Sequence, residues 1–69
     1  MERLTIQFKV NKKPYEVDVA TNNADYVTAG FNSWVYRTKK YTTESLCEYV
    51  NSKEDQNILC IPFNQIKSN

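Results

Sequence analysis

The sequence predicts an α+β domain, in which a small antiparallel sheet of about four strands, opened by a β-hairpin, carries one helix packed on one face. Three observations predict it. Leu4, Ile6, Phe8 and Val10 alternate with Thr5, Gln7 and Lys9, and Tyr15, Val17 and Val19 alternate with Glu16 and Asp18, which is the period of half-buried strands. Thr42 or Thr43 precedes a stretch in which Leu46, Cys47 and Val50 share one helical face. Asn57 to Phe63 is an apolar run of strand length.

In the hairpin, pairing Val10 with Tyr15, Phe8 with Val17 and Ile6 with Val19 puts the apolar side chains on one face and sets Lys9 opposite Glu16 on the other. The connection Asn11-Lys12-Lys13-Pro14 lacks glycine. Pro14 has no amide to donate, so a loop wider than two residues is expected, with two lysines at its tip.

Residues 21–40 admit two readings. Asn22 or Asn23 can cap a helix in which Val27, Phe31, Trp34, Val35 and Thr38 follow helical spacing, but Gly30 and the β-branched and aromatic content weaken it. A second hairpin turning at Asn32-Ser33, with strands near 26–31 and 34–40, is preferred. The helix at 43–52 is clearer, with Tyr41 placed to staple on Leu46 and Asn51-Ser52-Lys53 at its end. Glu54-Asp55-Gln56 reads as a polar loop. The closing strand is ended by Pro62 or displaced by it to an edge. Leu4, Ile6, Phe8, Val10, Val17, Val19, Trp34, Leu46, Val50, Leu59, Ile61 and Phe63 form the expected core.

The 69 residues suffice for one domain, 1–69, of modest stability. Scarce glycine and proline fit a globular chain. The start Met1-Glu2-Arg3 leads into a strand and no run is long enough to span a bilayer, so a cytoplasmic protein without membrane association is expected. Nine basic and eight acidic side chains nearly cancel, which argues against polyanion binding as the main driving force. Residues 1–40 nevertheless hold most of the cations. Cys47 and Cys60, without histidine, do not make a metal site, and two buried, reduced thiols are expected. A helix–strand disulfide is the alternative, and it calls for oxidising conditions. No cofactor is expected.

The stretch Phe8-Lys9-Val10-Asn11-Lys12-Lys13-Pro14-Tyr15-Glu16-Val17-Asp18-Val19 resembles the opening hairpin of the plant-type ferredoxin domains of molybdenum hydroxylases, which have a β-grasp fold. The resemblance covers about a dozen residues and implies a layout in which a helix crosses the sheet. Those domains hold an iron–sulfur cluster on closely spaced cysteines after the hairpin; this chain has none there, so that activity does not carry over.

Without histidine, acid–base catalysis near neutral pH needs a strongly perturbed carboxylate, lysine or thiol. No phosphate loop, nucleophile elbow or zinc motif is present. A non-catalytic protein–protein interaction module is therefore expected. In size and economy it is similar to phage or mobile-element accessory proteins that inhibit a larger host protein by occlusion. Its candidate contacts are an acidic face (Glu44, Glu48, Glu54, Asp55) and exposed aromatics (Tyr36, Tyr41, Tyr49), types enriched as interface anchors. The alternative is a nucleic-acid-binding domain using Arg37, Lys39 and Lys40 on a basic-aromatic strand, with Lys12 and Lys13. Homo-oligomerisation through an exposed sheet edge is a third option.

Overall fold

The computed structural model describes residues 1–52 and 57–65. The elements run β1 (Glu2–Val10), β2 (Lys13–Thr21), α1 (Ala24–Arg37), α2 (Thr43–Asn51) and β3 (Cys60–Pro62), with a 3-10 turn at Phe63–Gln65. Among the described residues the sheet has three strands in the order β1-β2-β3, both pairings antiparallel. The α+β class and the opening hairpin stand as expected, but there are three strands instead of about four and two helices instead of one.

The difference lies in residues 24–37, a helix and not the preferred second hairpin. Its start is sealed by Asn23, whose side chain accepts the Tyr26 amide. Helical spacing then delivers Val27 and Trp34 to the core, both at most 1% exposed. Packing of this stripe outweighs the weak helix propensity of its valines and aromatics. Gly30, which weakened the helix in sequence, faces the ring of Tyr49 on α2; a Cβ there would lie 4.0 Å from it. Helix α2 starts as expected, with Thr42 accepting the Ser45 amide.

The hairpin register is shifted by two residues from the expected one: Phe8 faces Tyr15, Ile6 faces Val17 and Leu4 faces Val19. Lys9 therefore lies opposite Pro14, and Gln7 donates to Glu16 across the outer face. The wider loop is absent, because Asn11 and Lys12 both adopt the left-handed conformation, with φ of 53° and 70°. These values define a two-residue turn whose twist suits a hairpin. Pro14 is tolerated because it falls in a non-hydrogen-bonded pair, where its nitrogen points away from β1. A non-glycine residue at left-handed φ carries a local penalty of about 1–2 kcal/mol. Lys12→Gly is expected to raise stability by about 0.5–1 kcal/mol after the entropy cost of glycine, read as a higher urea midpoint at unchanged slope.

The inner face of the sheet meets both helices. Val17, Val19, Val27, Trp34, Leu46, Cys47, Val50, Ile58 and Cys60 form one buried cluster, with Leu4, Ile6 and Phe8 half-buried against it. Leu59, expected inside, is 49% exposed, and its neighbour Ile58 is buried instead. The C-terminal strand is correspondingly short. Before Cys60 the Asn22 side chain takes the place of a backbone ladder, donating to the Asn57 carbonyl and accepting the Leu59 amide. Pro62 sits on this edge strand, where its missing amide costs no ladder bond on the open side. Ile61 and Phe63, also expected in the core, are half-buried. Beyond the end of β3 the Asp18 amide is taken by the Thr43 hydroxyl, so the first turn of α2 continues the edge of β2.

Candidate functional site

The outer face of the hairpin is occupied by its own hydrogen bonds. Arg3 makes a two-pronged contact with Asp18 at 3.0 and 2.7 Å, and Thr5 donates to the same carboxylate. The Arg3 guanidinium also lies 4.1 Å from the centre of the Phe63 ring. These groups satisfy one another and offer little to a partner.

The end of the molecule at the hairpin turn is different. Five rings, from Phe8, Tyr15, Phe31, Trp34 and Tyr41, pack there, with Tyr15 and Tyr41 only 4.9 Å apart and Phe8 in edge contact with Trp34 at 5.9 Å. The contacts join β1, β2, α1 and the α1–α2 connection. They bring the hairpin tip beside the basic connection, joining the two segments that the nucleic-acid reading of the sequence combines. Every charged residue in 8–15 and in 34–43 is a cation: Lys9, Lys12, Lys13, Arg37, Lys39 and Lys40. All six are exposed. The result is a basic end on a chain whose net charge is only +1, with Glu16 near Lys9 and Glu48 near Arg37 at its margins.

The connection is held by a relay of hydroxyls. The Trp34 indole N–H donates to Ser45 Oγ at 3.1 Å, and Thr38 Oγ1 donates to the Lys40 carbonyl at 2.8 Å. The 3.1 Å contact between Ser45 and Thr38 then has Ser45 as donor, since the Thr38 proton is already engaged. The Lys40 amide closes the turn onto Thr38. A core tryptophan thus orients the backbone that displays Lys39 and Lys40.

Tyr36 is 90% exposed and points away from the core, because residue 36 lies half a turn from Trp34 on a helix. A strand over this segment would place Trp34 and Tyr36 on one face; the helix separates them. Around Tyr36, the side chains Thr28, Ala29, Asn32 and Ser33 are exposed and small or neutral. No charge occurs from Tyr26 through Tyr36. The charge-free stretch is legible in the sequence, but only the helical period gathers its small side chains on one face around Tyr36.

Of the other candidates, Tyr41 belongs to the aromatic cluster, and Tyr49 is half-buried between the two helices. Arg37, Glu48 and Tyr49 border one groove between α1 and α2, of about 500 Å³. Glu44 and Glu48 are exposed on α2. Glu54 and Asp55, the other members of the expected acidic face, lie outside the described residues.

Cys47 and Cys60 are both free and buried, on α2 and β3, with their sulfurs 3.2 Å apart. The Cys60 pKa is lowered, chiefly because the Cys47 S–H donates to it, and burial opposes that shift. Cys47 is held well above the usual thiol range by the same hydrogen bond, by burial, and by repulsion from Cys60 and Glu44. No group of three or more potential metal ligands occurs among the described residues. Nor is any described helix long and apolar enough to cross a membrane.

Comparison of the chain with protein-family models, with characterised proteins and with solved structures finds no match.

Proposed function

We propose that the chain is a non-catalytic protein-binding module whose contact surface is the outward face of α1, anchored by Tyr36 and rimmed by the basic end. Its partner is a larger protein with an acidic surface, and occupying that surface is the activity, as in an inhibitor that works by occlusion. The observation that carries this reading is the neutral, small-residue face around a tyrosine exposed to 90%. Solvated helix faces are usually charged, whereas the centres of interfaces are depleted of charge and enriched in tyrosine. The neighbouring cations supply steering and register toward an acidic partner.

Affinity capture from native-host lysate, with and without nuclease, tests it when wild type and Tyr36→Ala are compared. The expected result is a nuclease-resistant protein whose affinity falls about 30-fold in the variant, with the thermal midpoint unchanged because the ring is outside the core. Equal capture by both proteins would overturn the Tyr36 surface.

The gathering of six cations at one end favours one second reading, binding of nucleic acid. It predicts retention that disappears on nuclease treatment and an affinity that falls steeply with salt, the slope shrinking by about one for each phosphate-contacting lysine removed. Lys39→Ala and Lys40→Ala are the variants to compare.

A further inference from the structure

We infer that Cys47 and Cys60 are a reversible oxidation site, at which a peroxide converts the two thiols into a disulfide that ties α2 to β3. The inference does not depend on which partner the chain binds.

The argument is geometric. The two residues are 13 positions apart and arrive from different elements, Cys47 on the inward face of α2 and Cys60 on β3 opposite Thr21. Each is placed independently of the other. Cys47 sits beside Leu46 in the buried stripe of α2. Cys60 is held by its pairing in the sheet and by its carbonyl, which accepts the Asn51 side chain at 3.0 Å. Two ordinary buried cysteines packed as small apolar groups need not meet. Here the sulfurs are in direct contact, and a further approach of about 1.2 Å from 3.2 Å brings them to bonding distance.

Access is the second requirement. Both sulfurs are nearly covered, yet Cys47 and Cys60 help to line an open groove of about 540 Å³ whose walls include Glu44, Glu48, Asn51 and Pro62. A molecule the size of hydrogen peroxide can enter such a groove.

Reactivity is the third. The thiolate is the attacking form, and the hydrogen bond from Cys47 favours it on Cys60. Cys60 is then the nucleophile and Cys47 the resolving thiol. The Cys60 sulfur attacks one peroxide oxygen, the O–O bond breaks, and the departing hydroxide takes up a proton as water, leaving a sulfenic acid. The Cys47 sulfur next attacks the sulfenic sulfur, the S–S bond forms, the S–O bond breaks, and the hydroxyl leaves with the Cys47 proton as a second water. Two thiols and one hydrogen peroxide become one disulfide and two waters. A dithiol reverses the change by thiol–disulfide exchange.

The bond closes the connection between α2 and β3 into a covalent loop and removes the entropy that the open loop has in the unfolded chain. Oxidation is therefore expected to stabilise the fold, with a rise in the thermal midpoint of about 10 °C.

The test treats the full chain under native conditions with hydrogen peroxide, quenches with catalase, unfolds, alkylates with iodoacetamide and measures intact mass. The expected product is a monomer lighter by two hydrogens with no alkyl group added. After trypsin it yields peptide 41–53 linked to peptide 54–67, and dithiothreitol restores both the thiols and the lower midpoint. Cys47→Ala leaves Cys60 without a resolving partner, so the variant gains oxygen atoms and no midpoint rise. If that variant does not fold, the wild-type peptide map decides alone. Two alkylated cysteines after peroxide has consumed an added free thiol would overturn the inference. So would disulfide-linked dimers of the wild type, or oxygen added to either wild-type sulfur without a crosslink.

Discussion

Trp34→Ala is expected to leave the protein largely unfolded at room temperature. Trp34 is 1% exposed and the largest fully buried side chain. Its ring meets Phe8, Phe31 and Tyr41 at centroid distances of 5.9, 5.6 and 6.2 Å, and its N–H is satisfied by Ser45. Truncating a buried tryptophan costs about 3–5 kcal/mol, and the loss of three ring contacts places this case toward the upper end. A chain of this length has roughly 3–10 kcal/mol of total stability. The substitution removes the protein's sole tryptophan, so far-ultraviolet circular dichroism against urea is the suitable measurement. Trp34→Phe retains most of the ring area and loses the hydrogen bond to Ser45, and it is expected to remain folded with a lower urea midpoint. A folded, cooperative Trp34→Ala protein with a near-wild-type midpoint would contradict the central place given to this residue.

Tyr41→Ala is the second large effect, and it separates core from surface among the exposed-aromatic candidates. Tyr41 follows Lys39 and Lys40 in sequence, but its ring touches Tyr15 at 4.9 Å and lies 6.2 Å from both Phe8 and Trp34. The loss of half-buried area and of these contacts is expected to cost about 2–3 kcal/mol. The same change at Tyr36 is expected to stay within about 0.5 kcal/mol, as for other surface positions away from specific contacts. Equal midpoints for the two variants in urea would refute the division. Because Tyr41 joins the α1–α2 connection to the hairpin, its removal is also expected to loosen the arrangement of the six cations.

The two tyrosines show what composition leaves open. Both are aromatic, five residues apart and next to lysine or arginine, and nothing local distinguishes an anchor for a partner from a strut in the core. The difference arises because α1 carries position 36 to the far side of the helix, while the turn after Thr38 brings position 41 back under the sheet. The strand reading of residues 26–40 failed for a related reason. Its β-branched and aromatic residues suit either period, and the choice was made by contacts with Leu46, Val50 and the hairpin, all distant in sequence.

The hairpin shift has a local cause with a long reach. Glycine is the usual sign of a two-residue turn, and here Asn11 and Lys12 accept left-handed backbone without one. A shift of two residues preserves which side chains face inward, so the apolar face survived while the partners changed. The basic end was half visible in the same way. Its cations stood in two separate segments, and nothing in either segment indicated that Tyr15 and Tyr41 would join them.

By itself the sequence determined the two faces of the hairpin, the start and inward stripe of α2, the charge-free character of residues 26–36 and the presence of two thiols. Each of these is written in neighbouring residues, through the period of the backbone or the chemistry of a cap. Tertiary structure alone decided that residues 24–37 are helical, that six cations share one end, that Tyr36 is exposed while Tyr41 is packed, and that the sulfurs of Cys47 and Cys60 touch. These depend on burying one face of each element against residues far along the chain, and the energy of that contact has no signature in the local pattern.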